Sequence, residues 1–174
     1  AVLPLAAMAN PENYTIDPTH TYAYFEVEHL GVSNQRGRFD RTSGKFTLDR
    51  AAKSGSVELN IETASVSTGD NVKGSRPRTL DDHLKNADFF NVAEFPTLTF
   101  KSTSIKMEDE EEGVMTGELT IHGVTKTVEF DLEVIGTATD PWGNERAGFS
   151  ASTKINRKDY GLNYNSVMET GGLM

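Results

Sequence analysis

The chain of 174 residues contains no cysteine. That excludes disulfide staples, thiolate metal sites and a cysteine nucleophile, and leaves the compartment open. No run of about 18 apolar residues occurs, so no segment is a candidate membrane-spanning helix. Positive charge is scarce: 17 Lys and Arg face 26 Asp and Glu, for a formal net charge of -9. Holding a phosphate backbone requires a clustered basic face, and none is visible, so no nucleic acid partner is expected. Long helical periods are missing too, as is any alternation of strand with helix, which argues against parallel α/β designs.

Signatures of chemistry are equally sparse. The histidines stand at His20, His29, His83 and His122, with no HxH or HExxH spacing, so no metal site is expected. Gly69 and Gly74 match the glycine spacing of a phosphate-binding loop, but Ser75 stands where that loop needs lysine. Glu108 to Glu112 is a run of consecutive acids, whereas a calcium loop spaces its acids at alternate positions. The run reads as a charged hairpin tip that blunts edge-to-edge association.

What the chain does contain is period-two alternation. Phe25, Val27 and His29 share one strand face, opposite Tyr24, Glu26 and Glu28. Phe46 and Leu48 pair in the same way, as do Val57, Leu59 and Ile61 against Glu58, Asn60 and Glu62. Later sets are Leu98 with Phe100, Leu119 with Ile121, Phe130 with Leu132, and Ala147 with Phe149. Turn signals separate them at intervals of ~8–12 residues, which implies an antiparallel sandwich or barrel. About eight strands can close into a barrel whose interior is either filled or holds one slender ligand. The pattern alone does not separate the two.

One stretch departs from this pattern, Thr79 to Phe100. It opens as a short helix with Thr79 as N-cap and Asp81 and Asp82 in the first turn. Leu84 and Ala87 are expected on one face. Phe89 and Phe90 follow, then a turn at Phe95-Pro96 and a strand from Leu98. The loop before it carries Lys73, Arg76 and Arg78, a cluster that could meet a polar head group or simply be solvated. Residues 1–11 form a separate unit. Ala1 to Ala9 is uncharged and mostly apolar, and Ala7-x-Ala9 fits a signal-peptidase site, so it reads as a residual signal-peptide-like or disordered leader. Residues 12–174 then form one domain.

Four stretches resemble the YceI-like family of lipocalin-like, polyisoprenoid-binding periplasmic proteins. They are His29-Leu-Gly-Val-Ser33 with Gly37-Arg-Phe39; His83-Leu-Lys85 with Ala87-Asp-Phe-Phe90 and Phe95-Pro96; Gly117 to Lys126; and Arg157 to Leu162. The resemblance implies a single all-β, antiparallel, eight-stranded barrel with a short helical insertion. It implies non-catalytic binding of an isoprenoid lipid in an apolar channel, for periplasmic transport or storage. A prenyl quinone such as ubiquinone, or a polyprenyl phosphate or alcohol, would be the bound lipid; no other cofactor is expected. Transient contact with a membrane surface and a homodimer are further expectations. Family members continue into a final strand that closes the barrel. Here that closing C-terminal strand is expected to be absent, since Gly171 to Met174 stands where it should begin.

On this reading the apolar channel is walled by Phe25, Val27, Phe46, Leu59, Ile61, Phe89, Phe90, Leu98, Phe100, Leu119, Phe130, Leu132 and Phe149. Each of them could equally be ordinary core. His29, His83, Arg76 and Arg78 are the candidates for a polar mouth. Two alternatives stand beside the carrier. One is an enzyme acting on a hydrophobic substrate, with His83 and Asp81, Asp82 or Asp88 as acid and base. The other is an interaction module whose barrel is filled.

Overall fold

A computed structural model describes residues 11–29, 31–49 and 52–164. The leader-like Ala1 to Ala9 and the Gly171 to Met174 stretch lie outside the described residues. The strands are β1 (Glu12–Thr15), β2 (Ala23–His29), β3 (Ser33–Phe39), β4 (Thr42–Asp49), β5 (Ser54–Glu62), β6 (Val66–Ser67), β7 (Thr97–Met107), β8 (Glu112–Ile121), β9 (Val124–Thr139) and β10 (Glu145–Ser152). One α-helix, α1 (Leu80–Lys85), interrupts them, and 3-10 turns occupy Thr63–Ser65 and Arg157–Tyr160.

All pairings are antiparallel. One sheet has the order β1-β4-β5-β7-β8-β9-β10 and a smaller one the order β2-β3-β6. The two are halves of one meander. β3 passes into β4 at Asp40-Arg41, and β5 passes into β6 through the 3-10 turn. The bend at each junction moves the chain from one sheet to the other, so β2, β3 and β6 extend the barrel above β1, β4 and β5. Thr63 pins the second bend: it is fully buried, its hydroxyl donates to Phe95 O at 2.7 Å, and its N–H donates to Pro96 O at 3.0 Å. Among the described residues, β1 and β10 are the edge strands of the larger sheet and β2 and β6 those of the smaller, and the fold is a curled half-barrel.

The core follows the period-two reading. On β8, Gly113, Met115, Gly117, Leu119 and Ile121 are buried, while the residues between them are half-exposed. Met115, Leu119 and Ile121 join Phe39, Ile61, Val66, Leu84, Leu98, Phe100, Leu132, Tyr160 and Leu162 in one apolar cluster. Full burial of such a side chain stabilises by about 1.5–3 kcal/mol. Aromatic rings interlock in it edge to face, Phe39 with Phe90 at 5.2 Å and Phe100 with Phe130 at 5.0 Å.

The sheet curls far enough for its ends to meet at one pole. Phe46 of β4 stacks on Tyr14 at 4.4 Å and meets Phe149 of β10 edge-on at 5.1 Å. Arg146 reaches Asp17 at 3.3 Å across the same gap. At the other pole, His122 and Gly123 take positive φ (51° and 75°) in the two-residue β8–β9 turn, and Phe95 packs over that turn with its ring 4.4 Å from His122. β10 ends at Ser152, and opposite Gly148/Phe149 the partner strand β9 carries one extra residue, Ile135, a bulge that shifts the β9–β10 register. Ala87 lies beyond α1 and is exposed, so it does not share a buried face with Leu84 as expected.

Candidate functional site

The helical insertion crowns the pole at which β2 and β3 extend. Its start is built as the sequence predicts: Thr79 Oγ1 accepts from the Asp82 N–H at 3.0 Å, satisfying one orphan donor of α1. Asp81 has a different task. It is buried, and its Oδ1 accepts from the Thr68 N–H (2.8 Å) and hydroxyl (2.6 Å), tying the helix to the chain that leaves β6. A buried carboxylate needs such donors, and this one is thereby committed to structure. Leu84 is buried and Leu80 packs against the core cluster, so the helix sits apolar side down on the barrel.

The loop between β6 and α1 is ordered by Asp70. Its carboxylate accepts from both terminal nitrogens of Arg76, Nη1 at 2.7 Å, and from the Leu80 N–H at 3.1 Å. This fork of hydrogen bonds from Arg76 holds the Asp70 carboxyl below the usual carboxylate range. Arg76 Nη2 also donates to Val72 O at 2.7 Å.

His83 stands on the next turn. Its ring is wedged between Phe89 and Tyr164, edge to face at 4.9 and 4.8 Å. Its Nε2 lies 3.0 Å from Asp88 Oδ2, and Arg78 Nη2 abuts the same nitrogen and reaches Asp88 at 3.4 Å. Of the three aspartates considered beside His83, only Asp88 bonds to it. The segment that brings Tyr164 here is stapled by Arg157, which donates to Leu162 O (2.8 Å) and Tyr164 O (2.9 Å).

These groups border a cleft of about 310 Å³. All four residues expected at a polar mouth, His29, Arg76, Arg78 and His83, line it. Gln35, Asp70, Thr79 and Leu80 line it as well, and sequence reasoning missed them in that role. Gln35 faces Val27 across the β2–β3 ladder, a register that becomes legible only once the hairpin is known. A second cleft, of about 440 Å³, lies between Asp40, Arg41, Ser65 and Lys85 and holds none of the expected residues.

The apolar candidates fall into three groups. Phe46, Ile61, Leu98, Phe100, Leu119 and Leu132 are buried. Phe25, Leu59, Phe89, Phe90 and Phe130 are half-buried against the core. Val27 (43% exposed) and Phe149 (36%) lie open, each on an edge strand of its sheet, β2 and β10. The exposed face of β2 thus grades from Phe25 on the core, through Val27, to His29 at the cleft.

An antiparallel meander curled around an apolar interior, with an inserted loop and helix forming a polar cleft at one pole, defines a lipocalin-like barrel. This fold is suited to hold a hydrophobic ligand. Comparison with known proteins narrows the class: the YceI-like domain matches residues 14–173, and the chain belongs to the YceI-like family. It is 39% identical over 160 residues to protein YceI of Escherichia coli O6:H1, covering 90% of this chain and 80% of that one. It is 36% identical over 165 residues to a UPF0312 protein of Vibrio cholerae, covering 93% and 84%. Among solved structures, the Campylobacter jejuni YCEI protein matches with a TM-score of 0.66 at 37% identity, over 85% of this chain and 83% of that one. Burkholderia cenocepacia BcnA matches in fold with a TM-score of 0.73 at 22% identity, over 91% of each chain.

Proposed function

We propose that this protein is a non-catalytic carrier of an isoprenoid lipid, a prenyl quinone or a polyprenyl phosphate or alcohol. The prenyl chain lies in the apolar interior and the head group in the His29–Arg78–His83 cleft. The observation that carries the proposal is the continuity of the β2 face, from Phe25 on the core to His29 at the cleft. Leu80 and the His83–Phe89 contact bring further apolar surface to the same cleft.

The energetics suit such a ligand. A prenyl chain is nearly pure hydrocarbon, and each buried methylene contributes about 0.8 kcal/mol, so a few isoprene units outweigh the cost of ordering them. The interior requires no polar groups for this, and the candidates lining it are aromatic and aliphatic. Of the three aspartates of the acid–base alternative, Asp81 is committed to Thr68 and Asp82 forms no bond with His83 among the described residues, while Asp88 lies 3.0 Å from His83 Nε2. Periplasmic location, transient contact with a membrane surface and self-association belong to the same proposal and rest on the family resemblance.

Mass spectrometry of lipid co-purifying with protein from its native host tests the reading directly. A prenyl lipid is expected in stoichiometric amount. Repeatedly empty protein, together with no uptake of geranylgeraniol in vitro, would overturn it. Phe89→Ala with Phe90→Ala, which removes the apolar wall beside the cleft, is expected to weaken uptake in the same assay.

A further inference from the structure

We propose that the rim of the cleft is a docking face for an anionic lipid bilayer, and that the protein meets the membrane mouth first. The purpose of such a face rests on the carrier reading above; the face itself is read from the surface alone. Two turns frame the cleft. His29 and Gln35 line it from the two sides of the β2–β3 turn, and Asp70 and Arg76 from the loop between β6 and α1. Each turn carries an aliphatic side chain in its middle: Val32 is 83% exposed and Val72 74% exposed.

Both turns are braced, which fixes where the valines stand. The Val32 N–H donates to His29 O at 3.2 Å. Val72 sits in the loop that Arg76 closes. Its carbonyl accepts from Arg76 Nη2 at 2.7 Å, the same guanidinium grips Asp70, and the Arg76 N–H donates to Lys73 O at 3.2 Å. Lys73 follows Val72 directly. It does not line the cleft, and its ammonium has no partner among the described residues. An aliphatic side chain beside an unpaired ammonium, held out on a stiff turn, suits the headgroup layer of a bilayer. The valine reaches toward the acyl boundary and the ammonium stays among the phosphates.

Charge orients the molecule. In the insertion, Lys73, Arg76, Arg78 and Lys85 balance Asp70, Asp81, Asp82 and Asp88, and on β2 and β3 Arg36 and Arg38 balance Glu26 and Glu28. The net charge of -9 therefore lies elsewhere. Much of it stands at the opposite end. Phe95 packs over the His122–Gly123 turn and its carbonyl pins Thr63, so the extension with the cleft shares the end of the barrel where β9 begins. β9 then carries the chain 16 residues away, toward the tip at Asp140 to Asn144. The Glu108 to Glu112 run lies along its far half, joined by the Val134 N–H, which donates to Glu111 O at 2.7 Å. Glu112 faces Glu133 across the ladder, and among the described residues none of these acids has an ion-pair partner. An anionic surface repels this end and admits the other.

Docked in this way, the cleft faces the bilayer. A prenyl chain then passes between membrane and barrel with little of its hydrocarbon exposed to water, each exposed methylene of which would cost free energy. The fold also carries a reporter at the far end: Trp142, the sole tryptophan, is 82% exposed on the β9–β10 tip.

Co-sedimentation of the full chain with vesicles at low salt tests the face. One set holds equal parts of phosphatidylglycerol and phosphatidylcholine, the other phosphatidylcholine alone. Binding is expected to the anionic vesicles only, and it should weaken as salt rises. Lys73→Ala is expected to lower partitioning about fivefold, the contribution of one basic side chain near an anionic surface. Val32→Asp with Val72→Asp is expected to lower it to the level of phosphatidylcholine. All three positions are exposed, so urea midpoints should not move. On vesicles with brominated acyl chains, Trp142 of the unmodified protein should keep its emission, whereas Val72→Trp combined with Trp142→Phe should be quenched. Equal binding to both vesicles, binding undiminished by these substitutions, or quenching of Trp142 would overturn the docking face. Geranylgeraniol uptake from solution should be the same in these variants as in the unmodified protein. Vesicle binding without any uptake would overturn the carrier reading and leave the docking face standing; uptake without vesicle binding would do the reverse.

Discussion

Gly117→Ala puts the smallest possible side chain where the fold leaves no room for one. Gly117 faces the interior from β8, with the ring of Phe100 from β7 laid across it. A Cβ at this position would stand 2.5 Å from Lys101 O and 2.6 Å from Phe100 Cζ, where ordinary van der Waals contact begins at 3.4 Å. Neither neighbour can withdraw at low cost. The Lys101 carbonyl belongs to a strand paired on both sides, to β5 and to β8. Phe100 is 4% exposed and its far side meets Phe130 at 5.0 Å. Overpacking of this kind costs about 1–3 kcal/mol. Because one of the clashing atoms is backbone, about 2 kcal/mol is expected, a large share of a domain stability of about 5–15 kcal/mol. Urea unfolding should show a midpoint lower by about 1 M at unchanged slope, taking the slope as about 2 kcal/mol/M. Gly148→Ala in β10 is the control. Its Cβ would meet Ile135 at 3.5 Å, an ordinary contact, so its midpoint should move by no more than about 0.5 kcal/mol equivalent. Equal midpoints for Gly117→Ala, Gly148→Ala and the unmodified protein would refute the packing argument. An equal fall in both variants would point to strand glycines in general rather than to the Phe100 contact.

Thr79→Ala removes the oxygen that accepts from the Asp82 N–H and should cost about 1 kcal/mol, with faster amide exchange confined to α1; exchange unchanged there would dismiss the cap. Acid should destabilise the protein through Asp17 and Asp140. Asp17 is held well below the usual carboxylate range by the Thr19 hydroxyl and the His20 ring, and Asp140 by the side chain and backbone of Asn144. A depressed folded pKa means the unfolded chain binds protons first, so this stability is present above about pH 4 and is lost as pH falls through the folded values. Asp140→Asn should therefore lose less between pH 7 and pH 3 than the unmodified protein does, in urea midpoints measured at each; parallel losses would count against it.

Several features were legible before any fold was known. Alternation on β8 and β9 identified which side chains turn inward, since a half-buried strand must change face at every residue. The cap at Thr79 was readable because a helix start leaves donors that a nearby hydroxyl can satisfy. His29, His83, Arg76 and Arg78 could be named as candidates by residue type and by resemblance. The roles of Asp81 and Asp70 could not. A carboxylate in a helical first turn looks the same whether it faces water or, as Asp81 does, a threonine in the preceding loop. The bulge at Ile135, opposite Gly148/Phe149, was equally hidden, because an extra residue in one strand is defined only against its partner.

Taken alone, the sequence turned Val27 and Phe149 inward where the structure leaves them open, but it determined the all-β class, the inward set of β8, a helical insertion and the family. These are local or cumulative properties, carried by period, by capping and by motifs kept in order. Tertiary structure decided which groups meet. Curling of the sheet brings Arg146 to Asp17, 129 positions away, and Phe149 to Phe46. Folding of the insertion onto the β2–β3 extension gathers His29 with Arg76, Arg78 and His83, and in the same movement gives both arginines a carboxylate. Charge in a sequence is a count. Whether that charge is available to a ligand depends on distances of a few ångströms, and these exist only once the chain has closed around them.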